Sequence, residues 1–297
     1  MLDVALVGCG HWGRHILRDL VALGGRVTVV ARSEESRGRA REGGAARVVP
    51  TVAELPEVAG IVVATPTPSH ADVIDALLPR RVPLFVEKPL ASDAARARAI
   101  AEVAGDRVFV MDKWRYHPGV AELARIARTG ELGPLLGVRS KRLQWSNPHP
   151  GLDCDWHLLP HDLAIFLEIA GRLPAARSAV YETVGGEVTG VVGLLGDAPW
   201  LAVEVSTRYP RHFREVALHA RDGVALLGDA YADAIEIRRW PLDGAPPERR
   251  PVGRELPLLL ELRAFLEHLR GGPPPKSAAS EGAAIVATIA ALRRVAG

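Results

Sequence analysis

The stretch Val4-Ala-Leu-Val-Gly-Cys-Gly-His-Trp-Gly-Arg-His-Ile-Leu-Arg-Asp-Leu20 decides the fold of this chain. Its first four residues form an apolar run that predicts a buried strand. Ile16, Leu17 and Leu20 then recur at helical spacing, which predicts a helix. Three glycines in the arrangement G-x-G-x-x-G lie between the two elements. This order of strand, glycines and helix predicts a dinucleotide-binding turn.

Each glycine has its own role in such a turn. Gly8 permits the tight bend, Gly10 lets a pyrophosphate approach the backbone, and Gly13 lets the helix pack close to the strand. His11 and Trp12 lie inside the loop and are further candidate cofactor contacts. The helix N-terminus then offers unpaired N–H groups and the positive end of its dipole to the phosphates. The alternative is an ordinary glycine-rich turn, which the flanking strand and helix disfavour.

The composition is that of a soluble globular protein with room for two domains. The chain has 297 residues, of which 48% are hydrophobic and 24% charged, and a formal net charge of +2. So small a charge recruits neither nucleic acid nor a membrane surface. Cys9 and Cys154 are too few for a disulfide framework or a cysteine-rich zinc site. The apolar run at residues 2–7 is too short for a signal sequence or a membrane span, so we expect a cytoplasmic protein.

The second predicted strand, Arg26 to Val30, bears on the choice of cofactor. In dinucleotide folds an acidic residue at the end of this strand usually binds the ribose hydroxyls. Here Arg32 and Ser33 follow the strand, and the first carboxylate is Glu34. An arginine and a hydroxyl would bind a 2′-phosphate, so we predict NADP(H), with NAD(H) still possible. The alternative is that Arg32 is a solvated loop residue.

Two further strand ends carry candidate site residues. The run Ile61 to Ala64 leads into Thr65-Pro66-Thr-Pro-Ser-His70, and the two prolines force the chain out of the sheet at the edge where ligands of open α/β sheets bind. We expect His70 to face solvent in the first turn of the next helix. The run Leu84 to Val86 leads into Glu87-Lys88-Pro89 at the same predicted edge. An ammonium there could bind a substrate hydroxyl and transfer a proton, or simply pair with a nearby acid.

The alternation of strands and helices ends near Pro118, so we predict an α/β chain of two domains. Residues 1–118 form a doubly wound parallel Rossmann sheet. Residues 119–297 form a second α/β domain with an open, mainly antiparallel sheet, and the last helix can pack back on the first domain. Strand-like runs extend from Ala179 to Ile237, whereas Trp240 to Val252 is rich in proline and arginine and is predicted as a loop. Two helices, near residues 256–269 and 278–295, end the chain.

The segment from Asp153 to Asp162 is the densest in chemical groups of the second half. Pro160 fits a first helical turn, which would place His161 and Asp162 at a helix N-terminus. Such a position disfavours imidazolium, so His161 would stay neutral and able to accept a proton. A metal site using His157 and His161 is disfavoured because their spacing matches no zinc motif. The remaining alternative is a pair of structural histidines.

The glycine loop, Glu87-Lys88-Pro89, Arg115-Tyr116-His117-Pro118 and Pro160-His161-Asp162 together resemble the glucose-fructose oxidoreductase / inositol dehydrogenase (Gfo/Idh/MocA) family. The order of these motifs is more specific than any one of them. The family pairs a Rossmann domain with a C-terminal α/β domain whose open sheet binds substrate and often builds oligomers. The resemblance therefore implies a homodimer or homotetramer formed through that sheet.

The resemblance also implies roles for individual residues. Lys88 and His161 would bind the reacting oxygen and move its proton while a hydride moves to or from the nicotinamide. The implied cofactor contacts are Thr65, Pro66, His70 and Glu87, and the implied substrate contacts are Lys88, Arg115, Tyr116 and His161. Where many relatives have an aspartate, four residues before the histidine, this chain has His157. The acid/base relay is therefore open to rearrangement, with Asp155 or Asp162 as possible supports.

We thus predict an oxidoreductase that uses NADP(H) to interconvert a secondary alcohol and a ketone on a carbohydrate-like substrate. The Pro-His-Asp-Leu string looks most like that of relatives acting on sugars or nucleotide-linked sugars. Two alternatives stay open. A reductase of C=N bonds would keep the cofactor loop but need no base for a hydroxyl. A non-catalytic regulator would bind NADP(H) and a protein partner without turnover.

Overall fold

A computed structural model describes residues 2–147, 151–241 and 244–297. These residues form two compact units. The first unit extends to Lys113 and also includes Leu256–Val286, and the second contains Trp114–Glu255 and Ala287–Gly297. This division differs from a single boundary near Pro118, because the chain returns to the first unit after residue 255.

The elements are numbered in chain order. The strands are β1 (Leu2–Val7), β2 (Gly25–Val30), β3 (Arg47–Val49), β4 (Gly60–Val63), β5 (Leu84–Glu87), β6 (Val108–Met111), β7 (Leu135–Trp145), β8 (Ala176–Val184), β9 (Glu187–Leu195), β10 (Trp200–Ser206), β11 (Arg208–Ala220), β12 (Gly223–Leu227), β13 (Ala234–Arg239) and β14 (Glu248–Pro251). The α-helices are α1 (Gly13–Ala22), α2 (Glu34–Glu42), α3 (His70–Leu77), α4 (Ala94–Ala104), α5 (Pro118–Thr129), α6 (Cys154–Ala170), α7 (Pro257–His268) and α8 (Ala279–Val295). Short 3₁₀ turns connect several of them.

The first unit is built on a parallel sheet with the strand order β3-β2-β1-β4-β5-β6. Its central strands are apolar runs that are buried on both faces, as parallel sheets covered by helices require. The order reverses between β1 and β4, and ligands bind such sheets at the carboxyl ends of the strands beside this point. The glycine loop, the Thr65 segment and Lys88 all follow strands at that edge. The predicted Rossmann sheet is confirmed.

Helix α7 belongs to the first unit because its apolar side packs there. Phe265 is fully buried and stacks on Phe85 of β5, with 4.9 Å between the ring centroids. Beyond α7, the carbonyl oxygen of Ser277 accepts a hydrogen bond of 2.8 Å from the N–H of Val110 on β6. Residues that follow the second unit in sequence therefore complete the core of the first.

The second unit is built on a sheet with the strand order β14-β13-β12-β11-β7-β10-β9-β8. Only the β7–β10 pair is parallel among the described strand pairs of this sheet. One face is covered by α6, whose side chains are mostly buried. The other face exposes apolar side chains, including Val180 at 71% and Val192 at 55% of their full surface. The predicted open, mainly antiparallel sheet is confirmed.

The predicted loop from Trp240 to Val252 is wrong in part, because it contains the edge strand β14. Arg250 on this strand forms ion pairs of 3.0 Å with Glu122 and 2.6 Å with Glu131. The sequence showed an arginine-rich and proline-rich segment, but it did not show that these charges have partners on and beside α5. Ion pairs of this kind hold a polar segment in extended conformation at a sheet edge.

No helix within the described ranges combines the length and the apolar character needed to cross a membrane.

Candidate active site

The glycine loop has the geometry that a dinucleotide requires. Gly8 has a φ of +97°, and a Cβ atom there would lie 2.7 Å from the carbonyl oxygen of Ala64. A Cβ atom on Gly13 would overlap the carbonyl oxygen of Gly8. At Gly10, by contrast, nothing lies within 4 Å of the place a Cβ would occupy. The loop is therefore compact at both ends and open in the middle, where a pyrophosphate must approach.

Helix α1 begins directly after this opening. Its N-cap residue, Trp12, makes no side-chain hydrogen bond to the first-turn N–H groups. These N–H groups point along the helix axis and, with the helix dipole, provide an anion-binding end. The loop and the N-terminal end of α1 thus have the arrangement of an anion-binding site.

Trp12 also connects the glycine loop to the end of β5. Its indole N–H donates a hydrogen bond to the carboxylate of Glu87, and the ammonium of Lys113 lies 4.2 Å from the centroid of its ring. The other oxygen of Glu87 accepts a bond of 3.2 Å from the backbone N–H of Lys88. Burial raises the pKa of Glu87, and the charges of Lys88 and Lys113 oppose that rise. Glu87 therefore positions the loop and the Lys88 backbone rather than standing open to a ligand.

Lys88 follows β5 and is half-buried. The Lys88–Pro89 peptide bond is cis. Lys88 directly follows β5, so it lies at the same strand edge of the first unit as the glycine loop.

The expectation that His70 faces solvent is wrong. His70 is buried, and its two ring nitrogens each lie 2.8 Å from a backbone carbonyl oxygen, that of Pro89 for Nδ1 and that of Thr65 for Nε2. Burial lowers the pKa of His70. The ring therefore connects the Thr65 segment to the turn that carries Lys88, which gives His70 a positioning role. The sequence did not show this because both partners are backbone carbonyl groups, and one of them, that of Pro89, lies 19 residues further along the chain.

Arg32 and Ser33 lie at the end of β2, and they differ in their contacts. Arg32 is exposed, and no carboxylate in the described part of the chain lies within ion-pair distance of it. The hydroxyl of Ser33 caps α2 by accepting a bond of 3.2 Å from the N–H of Ser36. The guanidinium of Arg32 is thus available to an anion, whereas the Ser33 hydroxyl already has a structural partner.

In the second unit, α6 begins earlier than predicted. It starts at Cys154, so Pro160 lies inside the helix and His161 lies in its second full turn. The argument that a helix N-terminus keeps His161 neutral is therefore wrong. The sequence misled because proline is common in first turns, yet a helix can also continue past one at the loss of a backbone hydrogen bond. His157 and His161 are one turn apart and both partly exposed, so they project from the same side of α6.

Asp155 and Asp162, on the buried side of α6, are both engaged in ion pairs. Asp162 accepts hydrogen bonds from Ser140 and from Arg142, the latter at 2.7 Å. Asp155 is fully buried and pairs with Arg293 of α8 at 2.6 Å. These contacts fasten α6 to β7 and to α8. They favour structural roles for the two aspartates over a part in an acid/base relay.

Arg115 and Tyr116 follow β6 and precede α5. Arg115 is buried and forms an ion pair of 3.0 Å with Glu168 of α6. Tyr116 is half-buried. The charge of Arg115 is therefore compensated by Glu168, which favours a role in holding α6 over direct contact with a substrate.

Comparison with known proteins identifies the first unit. The description "Oxidoreductase family, NAD-binding Rossmann fold", that of GFO_IDH_MocA, matches residues 2–111. Residues 2–111 thus resemble the NAD-binding domain of that family. A myo-inositol dehydrogenase of Streptomyces leeuwenhoekii is 33% identical over 44% of this chain and 43% of its own length. A D-apiose dehydrogenase of Paraburkholderia graminis is 28% identical over 71% of this chain and 62% of its own length. The chain spans less than two thirds of the length of the curated relatives it matches.

Solved structures extend the likeness to the fold of the whole chain. The UDP-N-acetylglucosamine 3-dehydrogenase of Acidithiobacillus ferrooxidans has a TM-score of 0.87 at 22% identity, over 99% of this chain and 97% of that one. Levoglucosan dehydrogenase in complex with NADH and levoglucosan has a TM-score of 0.87 at 18% identity, over 99% of this chain and 97% of that one. At these identities the likeness shows a shared fold and no more.

Two arginines that the sequence did not single out lie near α6 in the second unit. Arg142 of β7 pairs with Asp162, and Arg214 of β11 lies opposite Arg142 across the sheet. Both are strand residues that face the helix-covered side, where apolar residues are usual. An arginine at an inward-facing strand position could have indicated a site. It did not stand out because the chain contains 33 arginines. Among the described residues, no group of three or more His, Cys, Asp or Glu side chains is arranged to hold a metal ion.

Proposed function

We propose that this protein is an NADP(H)-dependent dehydrogenase that interconverts a secondary alcohol and a ketone on a sugar or sugar-nucleotide substrate. The observation that carries the proposal lies within the first unit. A loop shaped for a pyrophosphate and a lysine, Lys88, follow strands at the same edge of one sheet. The names of its relatives, which include inositol and D-apiose dehydrogenases, support a carbohydrate-like substrate.

Gly8, Gly10, Gly13 and the N-terminus of α1 would hold the pyrophosphate of the cofactor. When bound, the nicotinamide accepts or supplies the hydride. Arg32 would pair with the 2′-phosphate of NADP(H), which its exposed guanidinium suits because no carboxylate in the described ranges pairs with it.

Lys88 would hold the reacting oxygen and exchange its proton, and His161 is the second acid/base group that the sequence motif implies. In the oxidation direction the hydroxyl loses a proton to one of these groups as the C–H bond breaks, and in reduction the ketone oxygen receives it. His157, one turn before His161, replaces the aspartate of many relatives and takes over its contact with the substrate or with His161. Neither Asp155 nor Asp162 is needed, since both are held in ion pairs.

The proposal is tested by assaying turnover of a panel of sugars, inositols and sugar nucleotides through the change in nicotinamide absorbance. Lys88→Ala and His161→Ala should each lower kcat by about a hundredfold or more. Lys276→Ala and His268→Ala are matched controls outside the site and should keep kcat near that of the wild type.

Near-normal kcat in both site variants would overturn the assignment. Activity on cyclic imines without activity on any carbohydrate would replace it with a C=N reductase. Cofactor binding without turnover, together with a protein recovered from cells in equal amount, would replace it with a regulator.

Two further features of the protein belong to the proposal. We place it in the cytoplasm, because Cys9 and Cys154 are both free and buried thiols, as a reducing compartment maintains. We also propose a homodimer or homotetramer formed through the open face of the second unit's sheet. The exposed side chains of Val180, Val192 and Leu194 on this face support it, because a contiguous apolar sheet face is usually covered.

A further inference from the structure

Arg214 of β11 is a partly buried arginine whose charge has no carboxylate partner among the described residues. It lies opposite Arg142 of β7 in the strand register. Arg142 is neutralised by Asp162 at 2.7 Å. Within residues 2–147, 151–241 and 244–297, no carboxylate lies within 4.0 Å of the guanidinium of Arg214. Two arginines thus face each other across two strands with one counter-charge between them.

The hydrogen bonds of Arg214 leave part of its guanidinium available. One terminal nitrogen donates to the carbonyl oxygens of Leu143 and Phe213, both at 2.8 Å. The other terminal nitrogen donates to the side-chain oxygen of Gln144. These are three of the five N–H donors of an arginine, so two remain without a partner in the described structure. The bonds fix the plane of the group, which is the arrangement that favours binding of a carboxylate or phosphate.

The surroundings of Arg214 are electropositive. Burial and then the charge of Arg142 lower the pKa of Arg214 to about 10, so it stays a cation at neutral pH. Burial and the charge of Arg214 likewise lower the pKa of His212, two residues earlier on β11. The charges of Asp162 and Asp229 raise the pKa of Arg214, but both carboxylates lie beyond ion-pair distance from its guanidinium. A partly buried cation without a counter-charge is costly, and such groups are concentrated at binding sites.

Arg214 lies at the same end of the second unit as the family motif on α6. Asp162, the partner of Arg142, is the residue next to His161 on that helix. The loop after β12 is near the same position, because the charges of Asp229 and Tyr231 on this loop act on the pKa of Arg214. Strands β7 and β11, helix α6 and this loop therefore converge around one positively charged position.

We infer that Arg214 binds an anionic group of the substrate, a carboxylate or a phosphate, and so selects acidic or phosphorylated sugars over neutral ones. This inference rests on the proposed dehydrogenase function for its substrate, but the binding step can be measured without turnover. A purely structural arginine that braced the Leu143 and Phe213 carbonyls would leave the protein indifferent to substrate charge.

The test compares matched ligands by isothermal titration and by kcat/KM: glucuronate with glucose, glucose 6-phosphate with glucose, and a UDP-sugar with the free sugar. The wild type should prefer at least one charged member by about tenfold or more. The preferred member identifies the source of the anion. Arg214→Gln should abolish that preference and change the value for the neutral sugar little. Arg238→Gln, which removes an exposed arginine from β13 of the same sheet, should keep it.

Arg214→Lys covers the case in which Arg214→Gln fails to fold. It keeps the charge but not the planar donors, and it should retain a reduced preference that weakens as salt is added. Inorganic phosphate or glucuronate should also compete with the substrate in the wild type. Equal binding of charged and neutral ligands by the wild type, or a preference that survives Arg214→Gln, would overturn the inference. Selective binding without any turnover would support it while refuting the dehydrogenase proposal.

Discussion

At the scale of single residues, the site in the first unit depends on contacts that fix the backbone. His70 contacts two carbonyl oxygens, and Glu87 joins Trp12 to the N–H of Lys88. Neither the His70 ring nor the Glu87 carboxylate is exposed to open solvent. Lys88 can therefore be held at a defined place although it follows a strand of only four residues.

The proposed preference for the phosphorylated cofactor depends on Arg32. Since no described carboxylate pairs with it, its guanidinium can bind the 2′-phosphate. Arg32→Ala should weaken the binding of NADP(H) by about tenfold or more and leave NAD(H) affinity within about twofold. Fluorescence titration with the two reduced cofactors measures both values. Equal affinity of the wild type for NADP(H) and NAD(H) would contradict the assignment.

Gly13 tests the fit of the glycine loop. A methyl group at this position would overlap the carbonyl oxygen of Gly8, so Gly13→Ala must displace the loop or α1. We expect cofactor affinity to fall by about a hundredfold, with a loss of stability of about 1–3 kcal/mol. Gly38→Ala is the matched control, because nothing lies within 4 Å of a Cβ at that helical glycine. Thermal unfolding with and without cofactor measures both effects.

At the scale of secondary-structure elements, the sequence predicted the strands and helices that are determined by residues close together in the chain. The apolar runs of β1, β4, β5 and β6 identified the parallel sheet, and the glycine spacing identified the start of α1. The start of α6 and the existence of β14 were missed. Both depend on partners far away in sequence, namely Arg142 and Arg293 for α6 and Glu122 and Glu131 for β14. A periodicity argument cannot show such pairings.

The ion pairs of β14 give a prediction about pH. Hydrogen bonds from Arg250 and then Arg125 hold the pKa of Glu131 at about 2, below its usual 4.5. Because the folded-state pKa is depressed, the stabilisation is present above about pH 4.5 and is lost as the pH falls toward about 2. Glu131→Gln should therefore lower the free energy of unfolding by about 1–2 kcal/mol at neutral pH, after allowance for solvent screening.

The same variant should approach the wild type near about pH 2, where the wild-type carboxylate has also become neutral. Urea unfolding at several pH values measures the difference. Glu236→Gln on β13 is the control, since Glu236 is exposed and forms no ion pair with the described residues. A loss for Glu131→Gln that stayed constant with pH would show that the pairing is not electrostatic.

At the scale of the whole molecule, the open sheet face is the proposed surface of self-association. Val192 is exposed and lies opposite Glu204 in the register of β9 and β10. Val192→Lys can pair with Glu204 within one subunit, so the sheet should keep its fold while the oligomer dissociates. Light scattering measures the mass. Val103→Lys, on the exposed side of α4, should leave it unchanged, and a wild type that is already monomeric would refute the proposal.

The fold class of both units could be predicted from the sequence because each unit has a regular succession of secondary-structure elements. Parallel strands alternate with helices in the first unit, and strands separated by turns follow one another in the second. The return of α7 to the first unit was not predicted, because the burial of Phe265 against Phe85 joins residues 180 positions apart. The sequence identified Lys88 and His161 as candidate site residues, but not Arg214. Arg214 stands out only in the structure, where no described carboxylate pairs with its guanidinium.

The chemical step proposed for this protein is the transfer of a hydride between a substrate carbon and the nicotinamide with help from Lys88 and His161. Its most direct measurement uses NADPH deuterated at the transferring carbon of the nicotinamide, a panel of keto-sugars, and mass spectrometry of the alcohol product. We expect deuterium on the former carbonyl carbon with the wild type, at a rate lowered about a hundredfold or more in Lys88→Ala and in His161→Ala. Product without deuterium, or full-rate labelling in both variants, would contradict it.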